Sequence, residues 1–363
     1  MYPLPKPKHK STQPRCGSLL SHEAGVTLRR PRKRVVAPVP TLTPEQQRRN
    51  AEIEQELQLA RDLQQGLLLE AAPRLPGWEL AAVSLPARDL GGDLYDFLDL
   101  GAGIQGIMIG DVSGKGLSAA LRMAVARTVF RHEARRADQP GPTLAEVNRG
   151  VLREIPQGMV TMFYLCLDTK QGLLRMANAG HTFPLFINST VTEVELSGLP
   201  LGVDGDSDYE EATASVQPGE TLFLYTDGVL EAENTEGEIY TYERLQALIE
   251  ANVHLKPRAI VSLLLRELRT WSEGSQNDDV TMVILRRRLT NLDAELRSVA
   301  SDVLGFERAN TFWVEHVTLN PNADAHAWIA ALPDLLKIAQ TRFGRGLARE
   351  LNQQLRLALE DYR

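Results

Sequence analysis

The sequence predicts an α+β protein in which helices cover the outer faces of two antiparallel β-sheets. Between Trp78 and Arg288, short runs rich in β-branched and aromatic residues are bounded by glycine, proline, asparagine and aspartate, which is typical of strands. Longer segments with apolar residues at every third or fourth position predict helices. The chain of 363 residues, with 43% hydrophobic and 24% charged residues, has the composition of a globular protein of two or three domains.

The individual elements follow from these patterns. The predicted strands are WELAAVSL at 78–85, DLYDFLDL at 93–100, IQGIMIGDV at 104–112, VTMFYLCLD at 160–168, LLRMANA at 173–179, TLFLYTD at 221–227 and VTMVILR at 280–286. The predicted helices of the same region are 117–137, 143–154, 242–252 and 257–271. Two antiparallel sheets with helices outside accommodate this order of elements.

The chain divides into four parts by composition and periodicity. Residues 1–41 form a basic tail, 42–72 an amphipathic linker helix, 73–289 the domain with the strands, and 290–363 a separate C-terminal segment. The tail is rich in proline, lysine, arginine and serine without a sustained period, which predicts disorder.

Charge is distributed unevenly along the chain, whose net charge is −7. Residues 1–40 carry nine lysines or arginines and one acid, whereas the remainder carries 31 basic and 46 acidic residues. An acidic body repels anionic substrates unless cations are bound. The basic run LRRPRKR at 28–34 is interpreted as part of a solvated tail, and nucleic-acid binding is the least favoured interpretation.

The linker helix has a recognisable start and one apolar stripe. Thr43 can cap the helix, Pro44 suits the first helical position, and a glutamine follows three residues after the cap. The stripe recurs at helical spacing in Ile53, Leu57, Ala60, Leu63 and Leu67. Two alternatives remain: the helix packs on its own domain, or residues 43–69 pair with a second copy in a parallel coiled coil.

The sequence predicts a cytoplasmic protein. No apolar run reaches the ~18 residues of a membrane span, and the N-terminus lacks the apolar core of a signal peptide. The two cysteines, Cys16 and Cys166, do not form a metal-type pair or a disulfide framework.

Four aspartates in short glycine- or acid-flanked runs are the strongest chemical signal. The runs are GGDLYD at 91–96, GDVSGKG at 110–116, YTDGV at 225–229 and NDDVT at 277–281. If the fold gathers the four carboxylates, they cannot all stay ionised without cations. Hard divalent ions with oxygen ligands, Mg²⁺ or Mn²⁺, suit such a group, and two of them can activate water and clamp a phosphoryl group.

In this order and spacing, the runs resemble the SpoIIE-type branch of the metal-dependent protein phosphatases, the bacterial cousins of protein phosphatase 2C. NAGH at 178–181 and GLPLG at 198–202 extend the resemblance, which covers about 73–288. It implies a four-layer α–β–β–α sandwich with metals at one edge between the sheets. It also implies a metal-dependent phosphoserine/phosphothreonine phosphatase. Its implied substrate is a phosphorylated anti-anti-sigma-type regulator of a partner-switching pathway.

The resemblance also assigns roles to individual residues. Its metal ligands would be the carboxylates of Asp93, Asp111, Asp227 and Asp278 and the carbonyl of Val112, with Asp111 bridging the two ions. Asp278 would be the ligand of the second ion, and Asp279 ranks second to it within the acidic pair. Arg88, five residues before Asp93, is a candidate phosphate ligand. Lys115 is expected to be a solvated loop lysine.

The implied mechanism is direct attack of a metal-activated water on phosphorus, without a phospho-enzyme. Ser113 stands where the eukaryotic enzymes have a histidine that could protonate the leaving group, so the general acid is unassigned. His181 of the NAGH run is likewise left without a catalytic role. The alternatives to an enzyme are a non-catalytic scaffold and a binding module of a sigma-factor pathway.

The C-terminal segment is predicted to be a small α/β unit. FWVEHVTLN at 312–320 reads as a strand, followed by helical patterns at 323–343, interrupted by Pro333, and at 346–361. The last helix resembles the opening of an ATP-binding domain of the anti-sigma-factor and histidine-kinase type, and the alternative is an ordinary helical cap or regulatory segment. The sequence lacks that family's later glycine motifs, so we do not expect this segment to bind ATP.

Overall fold

The structure is a computed structural model that describes residues 43–67, 72–136, 139–155, 158–360 and 362. The predicted basic tail at 1–41 lies outside the described residues, as do the last residues of the predicted linker helix. The described residues fall into two units, one that ends at Arg49 and one that begins at Asn50. No helix in the described ranges is long and apolar enough to cross a membrane.

The linker helix is α1, Pro44–Leu67. Its predicted cap is confirmed: Gln46 N donates to Thr43 Oγ1 at 3.2 Å, and Thr43 N donates to Gln46 Oε1 at 2.9 Å. The predicted apolar stripe is largely solvent-exposed, with Ile53 at 47% and Leu63 at 65% exposure. Ile53, Leu63 and Leu67 are thus exposed, whereas Leu57 and Ala60 of the same stripe are half-buried.

Ten strands form two antiparallel sheets of five strands each. The strands are β1 (Trp78–Leu85), β2 (Leu94–Asp99), β3 (Ile104–Val112), β4 (Val160–Asp168), β5 (Leu173–Ala179), β6 (Leu185–Ile187), β7 (Val191–Glu193), β8 (Glu211–Ser215), β9 (Thr221–Tyr225) and β10 (Val280–Arg287). The sheet orders are β1-β10-β9-β6-β7 and β2-β3-β4-β5-β8. All seven predicted strands are confirmed, and the three that were missed have only three to five residues.

Helices flank this pair of sheets, as the sequence predicts. They are α2 (Leu117–Ala134), α3 (Pro140–Glu154), α4 (Tyr242–Glu250) and α5 (Pro257–Trp271). Side chains of α2 and α3 form one apolar cluster with the sheet that contains β2–β5, and side chains of α4 and α5 form another with the first sheet, which contains β9 and β10. A third cluster joins the inner faces of the two sheets. The domain is thus a four-layer α–β–β–α sandwich.

Strand β4 illustrates why its sequence is almost continuously apolar. Successive side chains of a strand point to opposite faces. Val160, Met162, Tyr164 and Cys166 pack in the cluster with α2 and α3, whereas Phe163, Leu165 and Leu167 pack between the sheets. A strand buried on both faces needs apolar residues at consecutive positions rather than at alternate ones.

The C-terminal segment is helical throughout its described residues, so the predicted α/β unit is wrong. Four helices, α6 (Leu292–Leu304), α7 (Phe306–His316), α8 (Ala325–Phe343) and α9 (Arg345–Glu360), share one apolar core. The predicted strand at 312–320 is mostly α7, because Ala309, Phe312 and Trp313 supply the buried face of a helix. Trp313 stacks on Trp328 with ring centroids 5.4 Å apart. Helix α8 continues through Pro333.

A buried ionic cluster attaches this helical segment to the first sheet. Glu295 of α6 has no exposed surface, and its carboxylate lies 3.1 Å from Lys256 Nζ and 3.1 Å from Arg288 Nη1. Glu79 of β1 joins the same cations, with its Oε2 3.1 Å from Arg286 of β10. Because each buried charge is paired, removing one partner leaves the others uncompensated.

We predict that Glu295→Gln lowers the free energy of unfolding by about 3 to 5 kcal/mol near neutral pH. Burial by itself raises the pKa of Glu295, but Lys256, Arg286 and Arg288 outweigh it and lower the pKa to about 2. This stabilisation is present above the unfolded-state pKa of 4.5 and is lost as pH falls towards 2. In urea denaturation at several pH values, the free energies of unfolding of the variant and the wild type should therefore approach each other as the pH falls.

Asp302→Asn is the matched control on the same helix. Burial raises the pKa of Asp302 to about 6, although its carboxylate lies 3.6 Å from Lys256 Nζ. The charged form of Asp302 is thus disfavoured in the folded state, and its neutralisation should leave stability equal or higher above that pH. Equal destabilisation by both substitutions would contradict this description of the cluster.

Candidate metal centre

The fold brings the four predicted aspartates to one end of the two sheets. Asp93 immediately precedes β2 and Asp111 lies near the end of β3, and the pairing of Leu94 with Gly110 places the two acids side by side. In the other sheet, β9 and β10 are neighbours. Asp227 follows β9 in a 3-10 turn, and Asp278 lies just before β10. Aspartates that are far apart in the sequence therefore lie at the same end of the two sheets.

Asp93 is the most deeply buried of the four. Its Oδ2 accepts a hydrogen bond from Thr226 Oγ1 at 2.8 Å, and Thr226 Oγ1 accepts one from Thr281 N at 3.0 Å. Burial and the charge of Asp111 raise the pKa of Asp93 well above its usual value, against the hydrogen bonds from Thr281 and Thr226. Sequence reasoning missed both threonines, although they stand inside the YTDGV and NDDVT runs.

Asp111 lies within the field of the other acids. Burial raises its pKa to about 7, and the charges of Asp227, Asp278 and Asp279 act in the same direction, whereas a side-chain hydrogen bond with Asp93 opposes them. The pKa of Asp227 is also raised, first by burial and then by Asp278. Burial and like-charge repulsion both disfavour ionised carboxylates here, so the site gains from binding cations.

Two glycines allow the backbone to approach this cluster closely. A Cβ atom on Gly92 would lie 2.6 Å from the carbonyl oxygen of Val112 and 3.2 Å from Asp111 Oδ1. A Cβ atom on Gly228 would lie 1.9 Å from the carbonyl oxygen of Asp279. Any larger residue at these positions would push apart the segments that carry the acids.

The two acids of the NDDVT run make different contacts. Asp279 is buried and accepts hydrogen bonds from Ala87 N at 2.7 Å and Gly92 N at 2.6 Å. It therefore anchors the loop that leads into Asp93. Asp278 is more exposed, and its Oδ2 lies 2.7 Å from Lys115 Nζ. The expectation that Lys115 is merely solvated is wrong.

The predicted phosphate ligand is not brought into the acidic cluster by any contact. Arg88 is exposed, and within the described ranges it forms no ion pair. Its neighbour Asp89 pairs with Arg61 at 2.5 Å. Arg88 nonetheless follows Ala87, which Asp279 anchors, so its backbone lies close to the acids.

His181 has a structural environment. Its backbone N donates to Asn178 Oδ1 at 2.8 Å, and Asn178 Nδ2 donates to Leu196 O at 2.7 Å. Its Nδ1 lies 2.9 Å from Thr161 Oγ1. Burial lowers the pKa of His181 to about 4, so the ring is neutral near pH 7. A neutral, enclosed ring of this kind holds the NAGH turn rather than supplying a proton.

Asp96, in the same run as Asp93, secures helix α2 to the sheet. It is fully buried, and Arg131 Nη1 donates to both of its oxygens at 2.9 and 3.0 Å. Arg127 Nε lies 3.1 Å from Asp96 Oδ2. Asp96 therefore orients the helix that follows the GDVSGKG loop.

The donor chemistry of this edge fits a divalent metal centre. The available ligands are oxygens only, namely the four carboxylates and the Val112 carbonyl beside Gly92. Among the described residues, no three acidic, histidine or cysteine side chains are gathered tightly enough to hold an ion as they stand. Asp93 accepts a hydrogen bond from Thr226, and Asp278 accepts one from Lys115.

Comparisons with known proteins identify the family. The family model of stage II sporulation protein E matches residues 102–288, about half of the chain. The phosphoserine phosphatase RsbU of Bacillus subtilis is 30% identical over 242 residues, which cover 66% of this chain and 72% of RsbU. The chain belongs to the SpoIIE family. It is a serine/threonine protein phosphatase.

Solved structures agree on the fold. The SiaA-PP2C domain of Pseudomonas aeruginosa superposes with a TM-score of 0.60 at 20% identity, covering 67% of this chain and 99% of that domain. The RsbU and RsbW domains of Rv1364c from Mycobacterium tuberculosis give a TM-score of 0.54 at 24% identity, covering 77% of this chain and 79% of theirs. The predicted sandwich is thus confirmed, whereas the predicted start of an ATP-binding domain is not.

We predict that substitutions of the two neighbouring acids have different effects, one on metal binding and the other on stability. Asp278→Asn should weaken Mn²⁺ binding and change the unfolding free energy of the metal-free protein little. Asp279→Asn should lower that free energy by about 1 to 3 kcal/mol, because it disturbs two buried backbone donors. Titration calorimetry with Mn²⁺ and urea denaturation in chelator measure the two effects. Equal changes in both quantities for the two variants would show that the ligand assignment is wrong.

Proposed function

We propose that this phosphatase removes phosphate from phosphoserine or phosphothreonine of a small regulatory protein, with two Mn²⁺ or Mg²⁺ ions as cofactors. The ions would be held by Asp93, Asp111, Asp227, Asp278 and the carbonyl of Val112. The observation that carries this proposal is the convergence of four carboxylates from adjacent strand ends of both sheets. The raised pKa of Asp111 and Asp227 supports it, because burial and then the neighbouring acids disfavour the ionised carboxylates, and bound cations would favour them.

When bound, two divalent ions would supply an acidified water for attack on phosphorus and positive charge for the phosphoryl oxygens. The protein contributes the arrangement. Thr226 orients Asp93, and the end of β3 aims Asp111 from a strand that is buried in the sheet. Arg88, on the loop anchored by Asp279, is the proposed contact for the substrate phosphate.

Ser113 occupies the position of the eukaryotic histidine. Its Oγ accepts a hydrogen bond from Met159 N at 3.2 Å, and its own backbone N donates to Met159 O at 3.0 Å. These bonds hold the GDVSGKG loop against the start of β4. They give Ser113 a supporting role in the loop, and we assign the proton of the leaving group to solvent water.

The proposed substrate class is an anti-anti-sigma-type regulator of a partner-switching pathway. Similarity to the phosphoserine phosphatase RsbU supports a phosphoserine substrate. The four acids disfavour a non-catalytic scaffold, since a scaffold has no need to accumulate repelling carboxylates. The helical C-terminal segment offers no strand or glycine-rich loop among its described residues that would favour an ATP-binding module.

The test is dephosphorylation of phosphorylated candidate regulators from the same genome, with para-nitrophenyl phosphate as a general substrate. We expect turnover with added Mn²⁺ and none after exhaustive chelation. Asp111→Asn should lose more than the about 10- to 100-fold typical of residues that only support metal ligands. Asp206→Asn, an exposed acid outside the cluster, is the matched control. Full turnover in the chelated protein or in Asp111→Asn would refute the proposal.

We further propose that α1 pairs two copies of the chain in the cytoplasm. Its apolar stripe is partly exposed, and Ile53 and Leu63 have 47% and 65% of their surface accessible. Burial of such residues between two helices stabilises a coiled coil. Leu63→Glu should convert a dimer into a monomer in sedimentation equilibrium, whereas Gln65→Glu on the same helix should not. A monomeric wild type would contradict the proposal.

A further inference from the structure

Lys115 connects the two sheets at the acidic edge. It lies between Gly114 and Gly116, whose φ angles of 109° and 73° turn the backbone sharply after β3. Its Nζ donates to the carbonyl oxygen of Asn277 and to Asp278 Oδ2, both at 2.7 Å. A lysine from the loop of one sheet thus binds the segment that carries an acid of the other.

This contact sets Lys115 apart from other basic residues. Within the part of the chain that the structure describes, no other lysine or arginine pairs with Asp93, Asp111, Asp227 or Asp278. The charge of Lys115 also acts on Asp227, whose raised pKa it partly lowers. The ammonium group therefore compensates negative charge in the cluster, which is the role assigned to the second metal ion.

The ion pair between Lys115 and Asp278 is weak enough for another cation to displace the lysine. The side chains of Lys115 and Asp278 keep 43% and 34% of their surface accessible, and pairs this exposed are weak because water competes for both partners. The lysine ammonium is a compact charge on a flexible stem, so it can leave without moving the backbone. A divalent ion bound to Asp278 Oδ2 would lie close to the ammonium group and repel it, so the two cations compete for this carboxylate.

We propose that Lys115 is an internal counter-cation of the metal centre, which occupies Asp278 until the second divalent ion displaces it. The inference rests on the proposed metal centre and adds a property to it. The affinity for the second ion is set partly by a residue that is not a ligand. Removing the lysine frees Asp278 and removes a positive charge that repels the incoming ion.

The test is Mn²⁺ binding to the metal-stripped full chain by titration calorimetry, a readout that does not depend on turnover. Lys115→Gln should lower the dissociation constant of the more weakly bound Mn²⁺ ion by about fivefold or more. This is the fold-change that corresponds to one exposed ion pair. Lys115→Arg keeps the charge and should stay close to the wild type. Lys170→Gln removes the same charge from an exposed site at the opposite end of β4 and should have no effect.

The titration distinguishes failure of the role of Lys115 from failure of the proposed metal centre. A lysine that only supports the loop would give weaker Mn²⁺ binding when replaced, so tighter binding distinguishes the two roles. Unchanged or weaker affinity in Lys115→Gln, with intact binding by the wild type, overturns the role of Lys115 and leaves the metal centre standing. Absence of Mn²⁺ binding in the wild type overturns the metal centre and this inference together.

Discussion

Repulsion between carboxylates is the constraint on which the functional edge of this protein depends. Asp93 is held in a buried position, and Asp111 and Asp227 lie in the fields of their acidic neighbours. Such an arrangement is unfavourable for a folded protein on its own. It is maintained because Thr226 donates to Asp93 and because the other three acids lie at the ends of β3, β9 and β10, which are interior strands of their sheets. The rigid sandwich stabilises a site that the acids alone would disrupt.

The same edge shows how the loops are arranged around the acids. Asp279 accepts two backbone N–H groups of the loop that leads into Asp93, and Gly92 allows that loop to touch Val112. Neither residue needs to bind a metal to be indispensable. Neighbouring acids of one motif can therefore have different roles. One is accessible to a cation, and the other accepts hydrogen bonds from backbone N–H groups.

Much of the sandwich could be predicted from the sequence because its strands are long and apolar, as in β4 and β10. The short strands β6 and β7 could not, since three residues carry no periodic signal. The segment around Trp313 was mistaken for a strand because its aromatic and β-branched residues suit either structure, and only packing against Trp328 decides for a helix.

The site was predicted unevenly for similar reasons. Strand-end aspartates beside glycines are visible in sequence, and the sheets brought all four to one edge. The partners Thr226 and Lys115 were not visible as such, because their contacts join segments that lie more than a hundred residues apart. Which acid of the pair at 278–279 faces outward is likewise decided by backbone donors from a distant loop.

The two-sided burial of β4 has a consequence for how such an enzyme can diversify. Every side chain from Met162 to Leu167 is enclosed, half by helices and half by the opposite sheet. Substitutions there disturb close packing on one face or the other, so changes in β4 are a poor route to a new substrate specificity. Variation that changes the choice of substrate has to accumulate in the turns at the strand ends, where it can alter the surroundings of the acids while the interior stays the same.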